Sequence, residues 1–199
     1  MGGVATRHYG HELALMFRHF VAIAFFAAQP PSDYSIYQAI VAHERRGAGN
    51  SSASATIIID STVAGGLVTA GLRTEFMRRQ FGFFASAYLG TVDNFVARNR
   101  VAVKLDRDSI PDGSKIRIIE RRDVPMKDGS TEWEFFYRKF PGTHGYITLS
   151  RPGFDRDAIY ALVYYRNRCG VVCGGAGYYL LRLLGDKWIV VRRVETTMS

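Results

Sequence analysis

Apolar runs separated by turn residues fill the last third of the chain and predict a series of β-strands. In chain order the runs are GYITLSRPGFD, AIYALVYYRNR, GYYLLRLL and KWIVVRRVE. Gly185-Asp186 is a two-residue hairpin signal between the last two runs. Counting back from this turn pairs Leu184 with Lys187 and Tyr179 with Arg192, so the pattern predicts a β-meander with a defined register.

Apolar positions at helical spacing precede this region in two segments. After Asp33, which can cap a helix, YSIYQAIVAHERRG predicts a helix that stops at Gly47. Farther along, TEWEFFYRKFPG combines a capping box of Thr131 and Glu134 with an aromatic stripe and a Pro-Gly stop. The stripe consists of Trp133, Phe136, Tyr137 and Phe140, which we interpret as core residues.

The intervening segments predict shorter elements. Residues 74–89 are rich in aromatic side chains and predict an interrupted helix, and Thr91 is placed to cap a second, short helix. ATIIID, RVAVKL and KIRIIERR each predict a strand. Helices followed by antiparallel strands define an α+β fold. We expect the N-terminal helices to pack on one face of a curved antiparallel sheet that ends in the C-terminal β-meander.

Residues 1–31 differ from the rest of the chain. The uninterrupted apolar run Phe20–Ala28 follows Arg18 and precedes Gln29-Pro30-Pro31, which would end a helix. This arrangement is typical of an export signal, with an apolar N-terminal helix or an interfacial anchor as the alternatives. The run is too short to cross a hydrocarbon core of roughly 30 Å, so we expect no stable membrane span. Residues 32–199 are then a single α+β domain.

Composition indicates a folded, basic protein. Of the 199 residues, 47% are hydrophobic, which is enough for one compact core. The 26 basic and 18 acidic residues give a net charge of +8, which favours weak attraction to anions. The basic residues are dispersed, and no recognised nucleic-acid-binding motif accompanies them. We therefore expect an anionic ligand or another envelope protein as the partner, and not nucleic acid.

The two cysteines, Cys169 and Cys173, lie in the glycine-rich stretch RCGVVCGGAG between two strand runs. Two cysteines supply too few ligands for zinc, and their C-x3-C spacing is not the C-x-x-C of thioredoxin-like redox sites. A disulfide would close a short ring worth roughly 2 kcal/mol of loop entropy. We interpret the pair as a disulfide staple, with free buried thiols and a reactive or metal-binding pair as alternatives.

Several segments together resemble a group of small exported bacterial proteins with no established activity. The resemblance rests on YSIYQAIV, on DNFVARN, on the stretch Trp133–Phe154 and on a C-terminal CGxxCGxxGYY hairpin motif followed by KWIVV. It covers most of residues 34–195 and is most specific in its C-terminal part. It implies a shared fold and an extracytoplasmic location, periplasmic or secreted, but no reaction and no catalytic residue.

Candidates for catalysis are weak. Asp60 at a strand end, His144 in the PGTHGY loop and Ser150 have the residue types of a hydrolase triad. Ser150, however, lacks the G-x-S-x-G elbow. A metal or acid/base site built on Asp60, Asp93 and His144 has no spacing that brings its members together. We therefore assign no catalytic residue, no metal and no cofactor, and we favour a protein without enzymatic activity.

The preferred hypothesis is a non-enzymatic binding or interaction domain that uses the loop ends of the meander. Its candidate contacts are His144, Arg151, Arg166 and Arg168, because guanidinium groups suit carboxylate and phosphate partners. One alternative is a small hydrolase with a pocket between helix 131–140 and the sheet. The other is weak polyanion or nucleic-acid binding.

Overall fold

The computed structural model describes residues 32–47, 55–69, 72, 79–81, 85–110, 115–125 and 129–198. The predicted export signal, residues 1–31, lies outside the described residues, as do residues 74–78 and 82–84 of the interrupted helix predicted over 74–89. Across the described part of the chain, every helix is too short or too polar to span a bilayer.

The described residues form helices and one sheet. The helices are α1 (Asp33–Gly47), α2 (Gly66–Thr69), α3 (Ala85–Arg98) and α4 (Ser130–Lys139), and a 3-10 turn covers Arg121–Asp123. The strands are β1 (Thr56–Ile59), β2 (Ile116–Ile119), β3 (Tyr146–Leu149), β4 (Gly153–Phe154), β5 (Tyr160–Gly170), β6 (Cys173–Leu184) and β7 (Lys187–Met198).

The sheet has seven strands in the order β2-β1-β3-β5-β6-β7, and β4 pairs with β5. β1 runs parallel to β2 and β3, whereas the other pairs are antiparallel. The predicted α+β class, with a C-terminal meander of β5, β6 and β7, is confirmed. The sheet is mostly antiparallel, and its parallel part comes from the two crossovers that place β1 between β2 and β3.

Helices cover both faces of this sheet, where the sequence predicted one. Ile36, Tyr37 and Ile40 of α1 pack in a cluster with Val163, Tyr179, Leu181 and Trp188. On the opposite face, α3 packs on Leu162 and Leu180, and α4 packs on Ile57 and Ile59. The reason is that neighbouring residues of β1, β5 and β6 are both apolar, so each strand buries both of its faces.

Three local predictions are wrong. RVAVKL forms no strand but a single bridge from Lys104 to Ser61, because Val101 and Val103 are 73% and 41% exposed and have no layer to pack against. Thr91 does not start a helix, since it is fully buried within the continuous α3. The N-cap of α4 is Gly129, without a side-chain hydrogen bond, so the predicted capping box does not form.

The register of the last hairpin holds near its turn and then shifts. Leu184 pairs with Lys187 as predicted, and Gly185 has a φ of +62°. A bulge between Leu180 and Leu181 then leaves Val191 without a direct partner, so Tyr179 faces Arg193 and not Arg192. An extra residue in one strand moves each following side chain to the other face.

The bulge brings Arg193 against α1. Its guanidinium donates hydrogen bonds to the Glu44 carboxylate at 3.2 Å, to Glu195 at 2.6 Å and, through Nε, to the Tyr165 hydroxyl at 2.9 Å. It also lies 5.1 Å from the Tyr165 ring centroid and 5.9 Å from that of Tyr179. Arg193 therefore links the C-terminal half of α1 to β7, the edge strand of the sheet, through hydrogen bonds.

Candidate functional site

The three residues proposed for a triad are not assembled. Asp60 and Ser150 follow the carboxyl ends of β1 and β3, whereas His144 is exposed and precedes β3. The four residues of β3 alone span roughly 10 Å, which keeps His144 away from Ser150. Ser150 is fully buried, and its Oγ accepts the Tyr164 N–H at 2.9 Å. Ser150 thus serves the packing of the strand ends.

Acidic, histidine and cysteine side chains are likewise dispersed. Asp93 lies on α3, on a different element from Asp60 and His144. Within the described ranges, no three side chains of these types come close enough to hold a metal ion together.

The four predicted binding residues fall at opposite ends of the sheet. Arg151 follows β3 and lies 3.5 Å from the Asp33 carboxylate, which also holds Arg98 at 2.8 Å. Its backbone exchanges two hydrogen bonds of 2.9 Å with the Asn99 side chain. Arg151 is therefore part of a network that joins the start of α1 to the end of α3.

Arg166, Arg168 and His144 lie at the other end. In the sheet, Thr148 pairs with Arg166 and Tyr146 pairs with Arg168. Gly145 has a φ of +83° and approaches the Arg168 carbonyl so closely that a side chain there would collide with it. The loop that carries His144 therefore packs against the end of β5, next to the tip of the β5–β6 hairpin.

The tip of this hairpin carries the two cysteines. The structure joins Cys169 and Cys173 in a disulfide, with 5.1 Å between their Cα atoms. Gly170 pairs with Cys173, so the turn consists of Val171 and Val172. Their side chains are 48% and 84% exposed. The disulfide thus closes a ring that presents two valines outward.

Helix α4 lies beside this ring. Trp133 and Phe136 are buried, and the Trp133 ring stacks on Tyr146 at 5.8 Å with an angle of 10° between the planes. The half-buried Tyr137 donates a 2.7 Å hydrogen bond to the Cys169 carbonyl oxygen. Burial raises the pKa of the Tyr137 phenol, which keeps its hydroxyl protonated as a donor.

An open groove of about 640 Å³ runs between α4 and the hairpin tip. We call it the hairpin groove; its lining residues are Ser130, Trp133, Glu134, Tyr137, Arg138 and Val171. The Arg138 guanidinium lies 4.3 Å from the centroid of the Phe135 ring. Phe135 is 60% exposed and borders a second groove of about 280 Å³ on the other side of α4.

The sequence pattern predicts the parts of this site but not their contact. The helical spacing of the aromatic stripe predicts a core face, and Trp133, Phe136 and Phe140 are indeed at most 5% exposed. The pattern of the cysteine loop predicts no contact with this stripe. The sequence feature that could have indicated this site is the presence of apolar residues at positions where polar residues are usual. Phe135 lies outside the stripe, and Val171 and Val172 occupy a turn.

No protein-family model, no curated protein and no solved structure matches this chain. The resemblance to small exported bacterial proteins therefore stays a prediction.

Proposed function

We propose that this protein is an extracytoplasmic binding domain without enzymatic activity, and that its contact surface is the hairpin groove with the adjoining hairpin tip. The observation that carries the proposal is the exposure of Val171 and Val172 at the hairpin tip, where Val171 also lines the groove. Large apolar side chains that cluster at the surface, bordered by polar groups, are typical of interaction sites.

The charges nearby favour a ligand with both an apolar part and a negative charge. Arg138 lines the groove, and Arg166 is exposed two residues before Arg168 on the same side of β5. Arg166 has no ion pair among the described residues. Glu134 is the one carboxylate in the lining. Guanidinium groups beside an aromatic floor suit anionic amphipathic ligands.

The proposed location rests on two features of the sequence and structure. The apolar run Phe20–Ala28 resembles an export signal. The Cys169–Cys173 disulfide would persist in an oxidising compartment and would be reduced in most bacterial cytoplasms.

The hydrolase alternative gains no support from the groove. Ser130 and Glu134 lie four residues apart on α4, and the lining contains neither a histidine nor a second acid to complete a catalytic set.

The proposal is tested by binding of the anionic aromatic dye 8-anilinonaphthalene-1-sulfonate to the oxidised protein. We expect one binding site per chain, and we expect Val172→Ser to weaken binding by about tenfold through lost apolar contact. Leu184→Ser is the matched control, since Leu184 is 47% exposed beside the other hairpin turn. Equal binding by both variants, or no binding by the wild type, would contradict the proposal.

The charge contribution is tested in the same assay. Arg166→Ala should weaken dye binding severalfold, and this loss should shrink as salt is added. Arg192→Ala, an exposed arginine on β7, is the control for net charge. If both substitutions act alike, general attraction by a basic protein explains the binding and the assigned surface is wrong.

A further inference from the structure

The two hairpins of the meander are held by different means. Two-residue hairpin turns favour backbone conformations with positive φ, which glycine adopts readily. Gly185 supplies this conformation in the β6–β7 turn, with a φ of +62°. In the β5–β6 turn the corresponding residues are Val171 and Val172, and neither has a positive φ. The local sequence therefore favours the β6–β7 turn strongly and the β5–β6 turn weakly.

The disulfide supplies the restraint that the Val-Val turn lacks. The register between β5 and β6 shifts between Arg168 and Gly170, which leaves Cys169 as the extra residue of a bulge. Its partner Cys173 begins β6. The bond from Cys169 to Cys173 therefore spans both the bulge and the turn, and it limits the conformations that the tip can adopt.

This restraint reaches the hairpin groove directly. The Cys169 carbonyl, inside the disulfide ring, accepts the hydrogen bond from Tyr137, and Val171, also inside the ring, lines the groove with Tyr137. We infer that reduction of the Cys169–Cys173 disulfide releases the hairpin tip from α4 and opens the groove. Resting on the proposed function, this inference makes ligand binding dependent on the redox state of the disulfide.

The reductant required is a dithiol. One of its thiolates attacks the sulfur of Cys173, which is the more exposed cysteine, and the Cys169 thiolate leaves and takes up a proton. The second thiol of the reductant then attacks the mixed disulfide and expels the Cys173 thiolate. Two electrons pass to the protein, which gains two thiols, and the reductant ends as a disulfide.

The test uses Trp133 as a reporter on the groove, because its side chain is 5% exposed and lines it. In the full chain, Trp188→Phe removes the other tryptophan of the sequence. Quenching of Trp133 fluorescence by acrylamide is measured before and after treatment with dithiothreitol, with thiol titration to show reduction and circular dichroism to show that the fold persists. We expect the quenching constant to rise about threefold as the tip opens locally.

Two variants separate this effect from general loosening. Cys169→Ser with Cys173→Ser should show the higher quenching constant without reductant. Val171→Asn with Val172→Gly introduces a sequence that favours a type I′ turn, and it should keep the low constant in both redox states. An unchanged quenching constant in the reduced Trp188→Phe protein would overturn the inference, as would resistance of the disulfide to dithiothreitol.

The readout is independent of the proposed function. Dye binding to the oxidised protein reports on the binding surface, whereas acrylamide quenching reports on the coupling of the disulfide to Trp133. A rise in quenching without any dye binding would reject the binding function and keep the coupling. Dye binding that is equal in both redox states, with unchanged quenching, would keep the binding function and reject the coupling.

Discussion

The Tyr137 phenol donates a 2.7 Å hydrogen bond to the carbonyl oxygen of Cys169. This bond joins a helix from the β2–β3 crossover to the disulfide ring at the tip of the meander, two parts of the chain that are 32 residues apart. It converts an aromatic helix face and an exposed turn into the two walls of one groove.

Tyr137→Phe should lower the free energy of unfolding by about 1 kcal/mol, because the Cys169 carbonyl loses its donor. The same variant should bind the anionic dye less tightly. Tyr146→Phe is the control, since no hydrogen bond is found for its hydroxyl among the described residues. Urea denaturation measures the free energy of unfolding of both variants. Equal losses of stability in the two variants would show that the hydrogen bond contributes nothing.

Trp133→Ala should cost roughly 3 to 5 kcal/mol of stability, because it removes a 95% buried ring and leaves a cavity against Tyr146. Phe135→Ala, on the exposed side of the same helix, should change stability by less than about 0.5 kcal/mol. Thermal and urea unfolding measure both. A Trp133 variant of wild-type stability that no longer bound ligand would identify the stripe as a binding shelf and not as core.

Arg193→Ala should lower stability by about 1 to 2 kcal/mol, because it breaks the hydrogen bonds to Glu44 and Tyr165 that hold α1. Arg192→Ala should have an effect below about 0.5 kcal/mol. The register predicted from the turn alone pairs Tyr179 with Arg192, so it predicts the larger loss of stability for Arg192→Ala and the smaller one for Arg193→Ala. Comparing the two variants by urea denaturation therefore tests the bulge at Val191.

Stability should fall at alkaline pH through two buried phenols. Burial, reinforced by Asp33, raises the pKa of Tyr37, and burial, reinforced by Glu44, raises the pKa of Tyr179. In the unfolded chain both titrate near 10. The folded state therefore holds these protons more tightly, so their contribution is complete below about pH 10 and is lost as the pH rises further, by up to about 1.4 kcal/mol per pH unit for each tyrosine.

This dependence is measured as the melting temperature between pH 8 and 11. Tyr179→Phe should make the decline of the melting temperature with pH less steep. It should cost little stability at pH 8, since the Tyr179 hydroxyl is buried without a hydrogen-bond partner in the described structure. A variant with the wild-type slope would show that Tyr179 does not contribute.

Expression with secretion should yield a product that begins near Ser32 and contains no free thiol. The apolar run before this point has the form of an export signal, and the cysteines are joined in the structure. Intact mass and thiol counting under denaturing conditions are the measurements. Retention of residues 1–31 in the exported product, or two titratable thiols, would contradict the respective half of the prediction.

The sequence by itself determined the elements whose chemistry is local. The Gly185-Asp186 turn, the helix that ends at Gly47 and the strand of residues 56–59 follow from glycine conformation, capping and apolar runs. The class of the fold follows from the order of these elements. The burial of the aromatic stripe follows from its helical period, because one continuous apolar face requires a partner layer.

Only the tertiary structure decided how these elements meet. Both faces of β1 and β5 are apolar, so the pattern could not tell which helix covers which face. RVAVKL alternates like a strand but pairs only through the bridge from Lys104 to Ser61, and the bulge at Val191 places Arg193 against Glu44 and Tyr165. The hairpin groove exists because β3 pairs with β5 and brings Tyr146, under Trp133, beside Arg168. Such contacts join distant parts of the chain, and their energies depend on the whole fold rather than on any local pattern.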